Sequence, residues 1–139
     1  MNYKKCKKLQ KGARIAKQSV ILGDVTIGRD SCVLYYAVIR GDDAPVVIGE
    51  EKRIIQENCT IHVSHNMPVH IGNNVTVGHN AVIHGCIIGD RTLIGMGGSD
   101  PGWCKDWKRL HHRSRKPCDQ EYSNPGWFSG NGKSGQNQT

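Results

Sequence analysis

Residues 71–95 read Ile71-Gly72-Asn73-Asn74-Val75-Thr76-Val77-Gly78-His79-Asn80-Ala81-Val82-Ile83-His84-Gly85-Cys86-Ile87-Ile88-Gly89-Asp90-Arg91-Thr92-Leu93-Ile94-Gly95. Aliphatic residues recur at 71, 77 and 83, then at 88 and 94; only the step from Ile83 to Ile88 is one residue short. A six-residue period is neither the 3.6 of a helix nor the two of a simple strand. It fits short strands that turn a corner every six residues, three faces making one 18-residue coil. Working outward, the same six-residue step runs through Ile27, Val33 and Ile39, and the aliphatic-Gly pair recurs at Ile27-Gly28 and Ile48-Gly49. The aliphatic heading each hexad is expected to point inward and stack on its equivalents above and below. Gly beside it is expected to relieve crowding at the corner and to permit positive φ. Ser31, Ala37 and Ala81 suit a second inward position, where the prism is narrow. Each coil buries its face only against its neighbours, so stability accumulates along the stack and the ends need capping.

The 139 residues suffice for one domain, and 17 glycines with few aromatics suit a tight-turned, all-β architecture. No apolar run approaches the ~20 residues of a membrane span. Met1–Lys11 is basic but lacks the apolar segment of a signal peptide. A cytoplasmic protein without membrane contact is expected. The formal charge of +7 gathers at the N-terminus and after residue 98, with no base-stacking aromatic motif beside it. This reads as solvated surface rather than a nucleic-acid site. Six cysteines form no CxxC, and Cys32, Cys59 and Cys86 sit inside the β pattern as buried thiols.

Three histidines stand out: His62 in Thr60-Ile61-His62, and His79 and His84 in the stretch above. His62 and His79 are 17 residues apart, close to one coil, and are expected near each other on adjacent coils. Three imidazoles plus water suit a catalytic zinc, which lowers the pKa of its water to ~7. His65 and His70 read as ordinary surface or hydrogen-bonded side chains.

The motifs Val38-Ile39-Arg40-Gly41-Asp42, Ile55-Gln56-Glu57-Asn58, Ile61-His62, Val77-Gly78-His79, Ile83-His84-Gly85-Cys86-Ile87-Ile88-Gly89-Asp90 and Leu93-Ile94-Gly95-Met96-Gly97 occur in this order. Together they resemble the γ-carbonic anhydrase-like hexapeptide proteins over about residues 12–98. The resemblance implies a left-handed parallel β-helix of hexapeptide repeats over 1–98 and a homotrimer with metal sites between subunits. His62 and His84 would come from one subunit and His79 from its neighbour, holding Zn, Fe or Co. The implied reaction is reversible hydration of CO2 to bicarbonate by a metal-bound hydroxide. Gln56 would orient that hydroxide. Arg40 and Asp42 resemble the family's interface ion pair, with Arg40 near the anion; a purely architectural salt bridge reads as well. Glu57 departs from the usual Asp, and Glu50–Ile55 runs one residue long, which predicts a bulge. The acidic loop carrying a proton-shuttle Glu in the best-characterised members is absent. Two other functions share the fold: a hexapeptide acyltransferase, and a catalytically inactive trimeric scaffold.

Residues 99–139 hold all three Trp, the only Phe and one Leu/Ile/Val-type aliphatic, Leu110. Read one nucleotide later, the Trp codon must yield Gly. Gly then falls at 107, and can fall at 113, in phase with Gly89 and Gly95, while 111 and 112 become Ile or Thr. A change of reading frame between about residues 97 and 101 is inferred. As translated, this tail has little apolar surface to offset its ordering entropy and is predicted to be disordered.

Overall fold

The computed structural model describes residues 5–99 and 111–112. In chain order the strands are β1 (Lys5–Leu9), β2 (Arg14–Ile15), β3 (Val20–Ile27), β4 (Cys32–Val33), β5 (Val38–Ile48), β6 (Ile54–Ile55), β7 (Thr60–His62), β8 (Val69–Ile71), β9 (Thr76–Val77), β10 (Val82–His84), β11 (Ile87–Ile88), β12 (Leu93–Ile94) and β13 (His111–His112). All named pairs are parallel. The expected parallel β-helix of hexapeptide repeats is thus the fold observed.

Three faces repeat up the stack. Face A is β2, β4, β6, β9, β12 and β13. Face B takes the first part of β3 and of β5, then β7 and β10. Face C takes β1, the second part of β3 and of β5, then β8 and β11. Registry places like over like. Val33, Ile55, Val77 and Ile94 form one inward column, Ile21, Ile39, Ile61 and Ile83 the second, and Ile27, Ile48, Ile71 and Ile88 the third. These residues are buried, and each contributes about 1.5–3 kcal/mol by leaving water. At the second inward position Ser31, Ala37 and Ala81 are buried as expected. Arg53 is a departure: it lies in the column of Ser31, Val75 and Thr92 and is fully buried. Cys59 and Cys86 are buried thiols, whereas Cys32 faces outward and is only half-buried.

The glycines act differently from expectation. Positive φ belongs to the residue three before the inward aliphatic: Asp30, Asn74 and Arg91 entering face A, and Tyr36, Asn58 and Asn80 entering face B. The Gly after the aliphatic serves close approach instead. A Cβ at Gly28 would overlap the carbonyl of Gly49, and one at Gly78 would lie 2.7 Å from the Met96 nitrogen. Coils about 4.8 Å apart leave no room there for a side chain. The extra residue of Glu50–Ile55 is absorbed at the corner by two successive positive-φ residues, Glu51 and Lys52.

At the first coil the prism opens into a cavity of about 540 Å³ lined by Leu9, Ala13, Ile15 and Ile21 among others. At the other end β13 pairs with Leu93 and Ile94 from eighteen residues further on, one coil in the sixfold phase. The other tail residues, and with them the predicted disorder, lie outside the described residues. Among the described residues no helix is long and apolar enough to cross a membrane.

Candidate metal centre

Strand alternation sets the site. In β7, Ile61 points inward, so Thr60 and His62 point out; in β10, Ile83 points inward, so Val82 and His84 point out. The register pairs His62 with His84 directly. Their rings pack in a tilted contact, with centroids 5.2 Å apart and planes at 47°. One coil earlier the same outward position holds Arg40, in register with Leu22 of β3. The chain leaves face B at this end, where Asp42 of β5 and Ser64, just after β7, come against the column.

Asp42 joins the column's charges. Its Oδ2 accepts from Arg40 Nη2 at 2.5 Å, and its Oδ1 lies 3.3 Å from His62 Nε2. The Arg40 hydrogen bond holds the Asp42 carboxyl below the usual carboxylate range, so it is anionic at neutral pH. His62 Nε2 is buried and makes no hydrogen bond. His84 Nε2 lies 3.3 Å from Ser64 Oγ. Asp42, Asp43 and His62 present possible ligand atoms within 4.8 Å of one another.

His79 sits elsewhere on the subunit, in the corner that enters face B. Its backbone N–H donates to Gln56 Oε1 at 3.1 Å. Its Nδ1 lies 2.8 Å from Glu57 Oε2. The expectation that His62 and His79 stack on adjacent coils is therefore corrected. The coil above His62 is 22 residues long, because Ile61 to Ile71 takes ten residues instead of six, and it delivers His84. His79 instead stacks over Glu57, also 22 residues earlier. One subunit thus holds two groups: His62, His84, Arg40 and Asp42 where the chain leaves face B, and Gln56, Glu57 and His79 where it enters. The sequence spacing considered above pairs neither Glu57 with His79 nor Ser64 with His84. For Glu57 and His79 the signal is the repeated 22-residue interval, once the ten-residue step is counted.

The family model for bacterial transferase hexapeptide, six repeats, matches residues 68–97. The chain is 52% identical over 88 residues to a "Probable carbonic anhydrase" of Methanocaldococcus jannaschii, covering 63% of this chain and 55% of that protein. The chain belongs to the γ-carbonic anhydrase-like hexapeptide-repeat family. Gamma carbonic anhydrase 1, mitochondrial, of Arabidopsis thaliana is 43% identical over 95 residues, covering 64% of this chain and 34% of that one. Among solved structures, a predicted acetyltransferase of Bacillus cereus superposes with a TM-score of 0.57 at 31% identity, covering 82% of this chain and 70% of that one. This family member spans about half the length of the first of these curated relatives and a third of the second.

Proposed function

We propose that the chain is a γ-carbonic anhydrase-type metalloprotein that interconverts CO2 and bicarbonate. His62 and His84 of one subunit and His79 of the next copy in a homotrimer would hold the metal. The observation that carries this reading is the His62–His84 pair: two outward imidazoles in register, one with a buried ring nitrogen that has no hydrogen-bond partner. A buried polar atom left without a partner is costly, and a metal would satisfy it. Imidazole donors suit Zn, Fe or Co alike. Such an ion supplies a water acidified to near-neutral pH.

The protein's own groups have separable tasks. Arg40 places a positive charge beside the histidine column, where the bicarbonate anion would leave. Asp42 holds that guanidinium in place and faces His62. Gln56, whose Oε1 is tied to the His79 N–H, offers its amide donors to orient a water at the neighbouring subunit's site. The reading places the protein in the cytoplasm, with dissolved CO2 and bicarbonate as its small-molecule substrates.

Native mass spectrometry with a stopped-flow CO2 hydration assay tests it. A trimer with one metal per subunit and measurable hydration is expected, with His62→Ala losing metal and activity while far-UV circular dichroism stays unchanged. A metal-free, inactive trimer would sink the reading and favour the scaffold. The likeness to the Bacillus cereus structure favours one other reading, a hexapeptide acyltransferase. Saturable binding of acetyl-CoA, unaffected by His62→Ala, would establish that instead.

A further inference from the structure

We infer that Glu57 is the positioning residue that presets His79 as a ligand for the neighbouring subunit's metal; this rests on the metal-site reading above. Of the three histidines, only His79 has a carboxylate at hydrogen-bond distance from its Nδ1, 2.8 Å from Glu57 Oε2. That oxygen is buried and makes no hydrogen bond among the described residues, so its close approach to the imidazole is the charge contact that burial leaves it. The main chain is held from the same two residues: the His79 N–H donates to Gln56 Oε1 and the Asn80 N–H to the Glu57 carbonyl, each at 3.1 Å. The coil below thus holds the backbone by hydrogen bonds and faces the ring with a close carboxylate.

A carboxylate this close to Nδ1 favours the tautomer that carries its proton there. The proton stays on Nδ1, and the lone pair is left on Nε2, the atom a metal needs. The ring plane is fixed by the same contact, so little orientational freedom is lost when a ligand arrives. The His79 side chain is 40% exposed in the single subunit, so the ring is accessible to another copy. His62 and His84 are arranged otherwise, with Nε2 toward Asp42 and Ser64 respectively. The subunit therefore donates one ligand preset by its own carboxylate and receives the metal on two ligands in register on adjacent coils.

The test uses the full chain and two probes. In the metal-free protein, 15N NMR of the ring nitrogens, recorded above the imidazole titration range, should show His79 protonated on Nδ1 in the wild type and in Glu57→Gln, which keeps an acceptor oxygen. Glu57→Ala should lose that preference. Cobalt(II) titration followed by visible absorption should show Glu57→Ala binding about 10–100-fold more weakly, with Glu57→Gln restored to within a few-fold of wild type. Equal cobalt affinity and an unchanged spectrum in Glu57→Ala would overturn the proposal. So would a wild-type His79 protonated on Nε2. If the wild type binds no cobalt, the metal reading fails, and the NMR tautomer alone decides the hold of Glu57 on His79. If Glu57→Ala does not fold, the wild-type tautomer and the Glu57→Gln affinity decide it: a Glu57→Gln loss as large as that expected for Ala counts against a hydrogen-bond role.

Discussion

The corner entering face B and the corner leaving it behave as opposites. Entering, the step between inward aliphatics is always six: Ile15 to Ile21, Val33 to Ile39, Ile55 to Ile61 and Val77 to Ile83. Leaving, it is six, nine, ten and five residues for Ile21 to Ile27, Ile39 to Ile48, Ile61 to Ile71 and Ile83 to Ile88. From the second coil on, the regular corner repeats one backbone solution, with a left-handed residue, Tyr36, Asn58 or Asn80, three before Ile39, Ile61 and Ile83. The irregular corner carries Arg40, Asp42, His62 and His84. Regularity builds the prism and its outward column, while the segments of variable length that follow bring Asp42 and Ser64 against that column. Loops tolerate such variation because their backbone is solvated and their length costs little.

Insertion should break this contrast most sharply. One Ala placed after Asn80 moves Ile83 out of phase and turns the following inward positions to solvent. Each displaced aliphatic forfeits about 1.5–3 kcal/mol, enough in sum to abolish cooperative unfolding. One Ala after Asn66, in the loop of the ten-residue step, should cost no more than about 0.6 kcal/mol. Urea denaturation of both variants reads the difference. Equal destabilisation would mean that the irregular loops are as constrained as the prism.

A second effect lies at the corner between faces C and A, where the step is seven. Arg53 is fully buried there, its Nε donating to the Gly72 carbonyl at 2.5 Å and its Nη2 to Asn73 Oδ1, while Nη1 makes no hydrogen bond. Asn73→Ala removes one acceptor and strands more of a buried cation, which should cost about 1–3 kcal/mol. Arg53→Met removes the cation along with its needs and should be neutral or stabilising. If Arg53→Met proved the worse of the two, the guanidinium would be a net source of stability through the acidic residues around it.

Much of this was legible in the sequence, for particular reasons. Ile71, Val77 and Ile83 disclosed the period because each coil must repeat the same inward contact. The role of the glycines was not legible: the aliphatic-Gly pair looks the same whether Gly supplies positive φ or mere closeness, and only the packing of Gly28 on Gly49 separates the two. The three candidate ligands were named, but His79 was stacked on the wrong partner. The ten-residue step hides between Ile61 and Ile71, where Ser64–Pro68 carries no phase. Arg53 falls within the bulge predicted over Glu50–Ile55, and nothing in a charged residue announces burial.

Smaller still is the strain of single residues at the regular corner. Asn58 and Asn80 tolerate left-handed backbone well, but Tyr36 adopts φ 60° with a bulky ring that is 63% exposed. Tyr36→Asn should therefore stabilise the fold, by up to about 1 kcal/mol. A loss of stability would show that the exposed ring is covered in the assembled protein, and repeating the measurement across protein concentration would separate the two causes.

The weakest predicted effect is electrostatic. At the seven-residue corner Glu50 accepts from Arg29 Nη2 at 2.8 Å, with both side chains about half exposed. That hydrogen bond holds the Glu50 carboxyl below its ordinary range. A depressed carboxylate contributes stability above its unfolded value of about 4.3 and loses it as pH falls through the lower folded value. Glu50→Gln should thus differ from wild type only above that range, and the two melting curves should converge in acid. Exposed pairs are screened and cost entropy to hold, so even at neutral pH the difference should barely be resolved and should vanish in high salt. A salt-resistant loss as large as that of Asn73→Ala would mean that Glu50 acts on buried Arg53 rather than on Arg29, and that the irregular step is stabilised by charge instead of by its backbone turn.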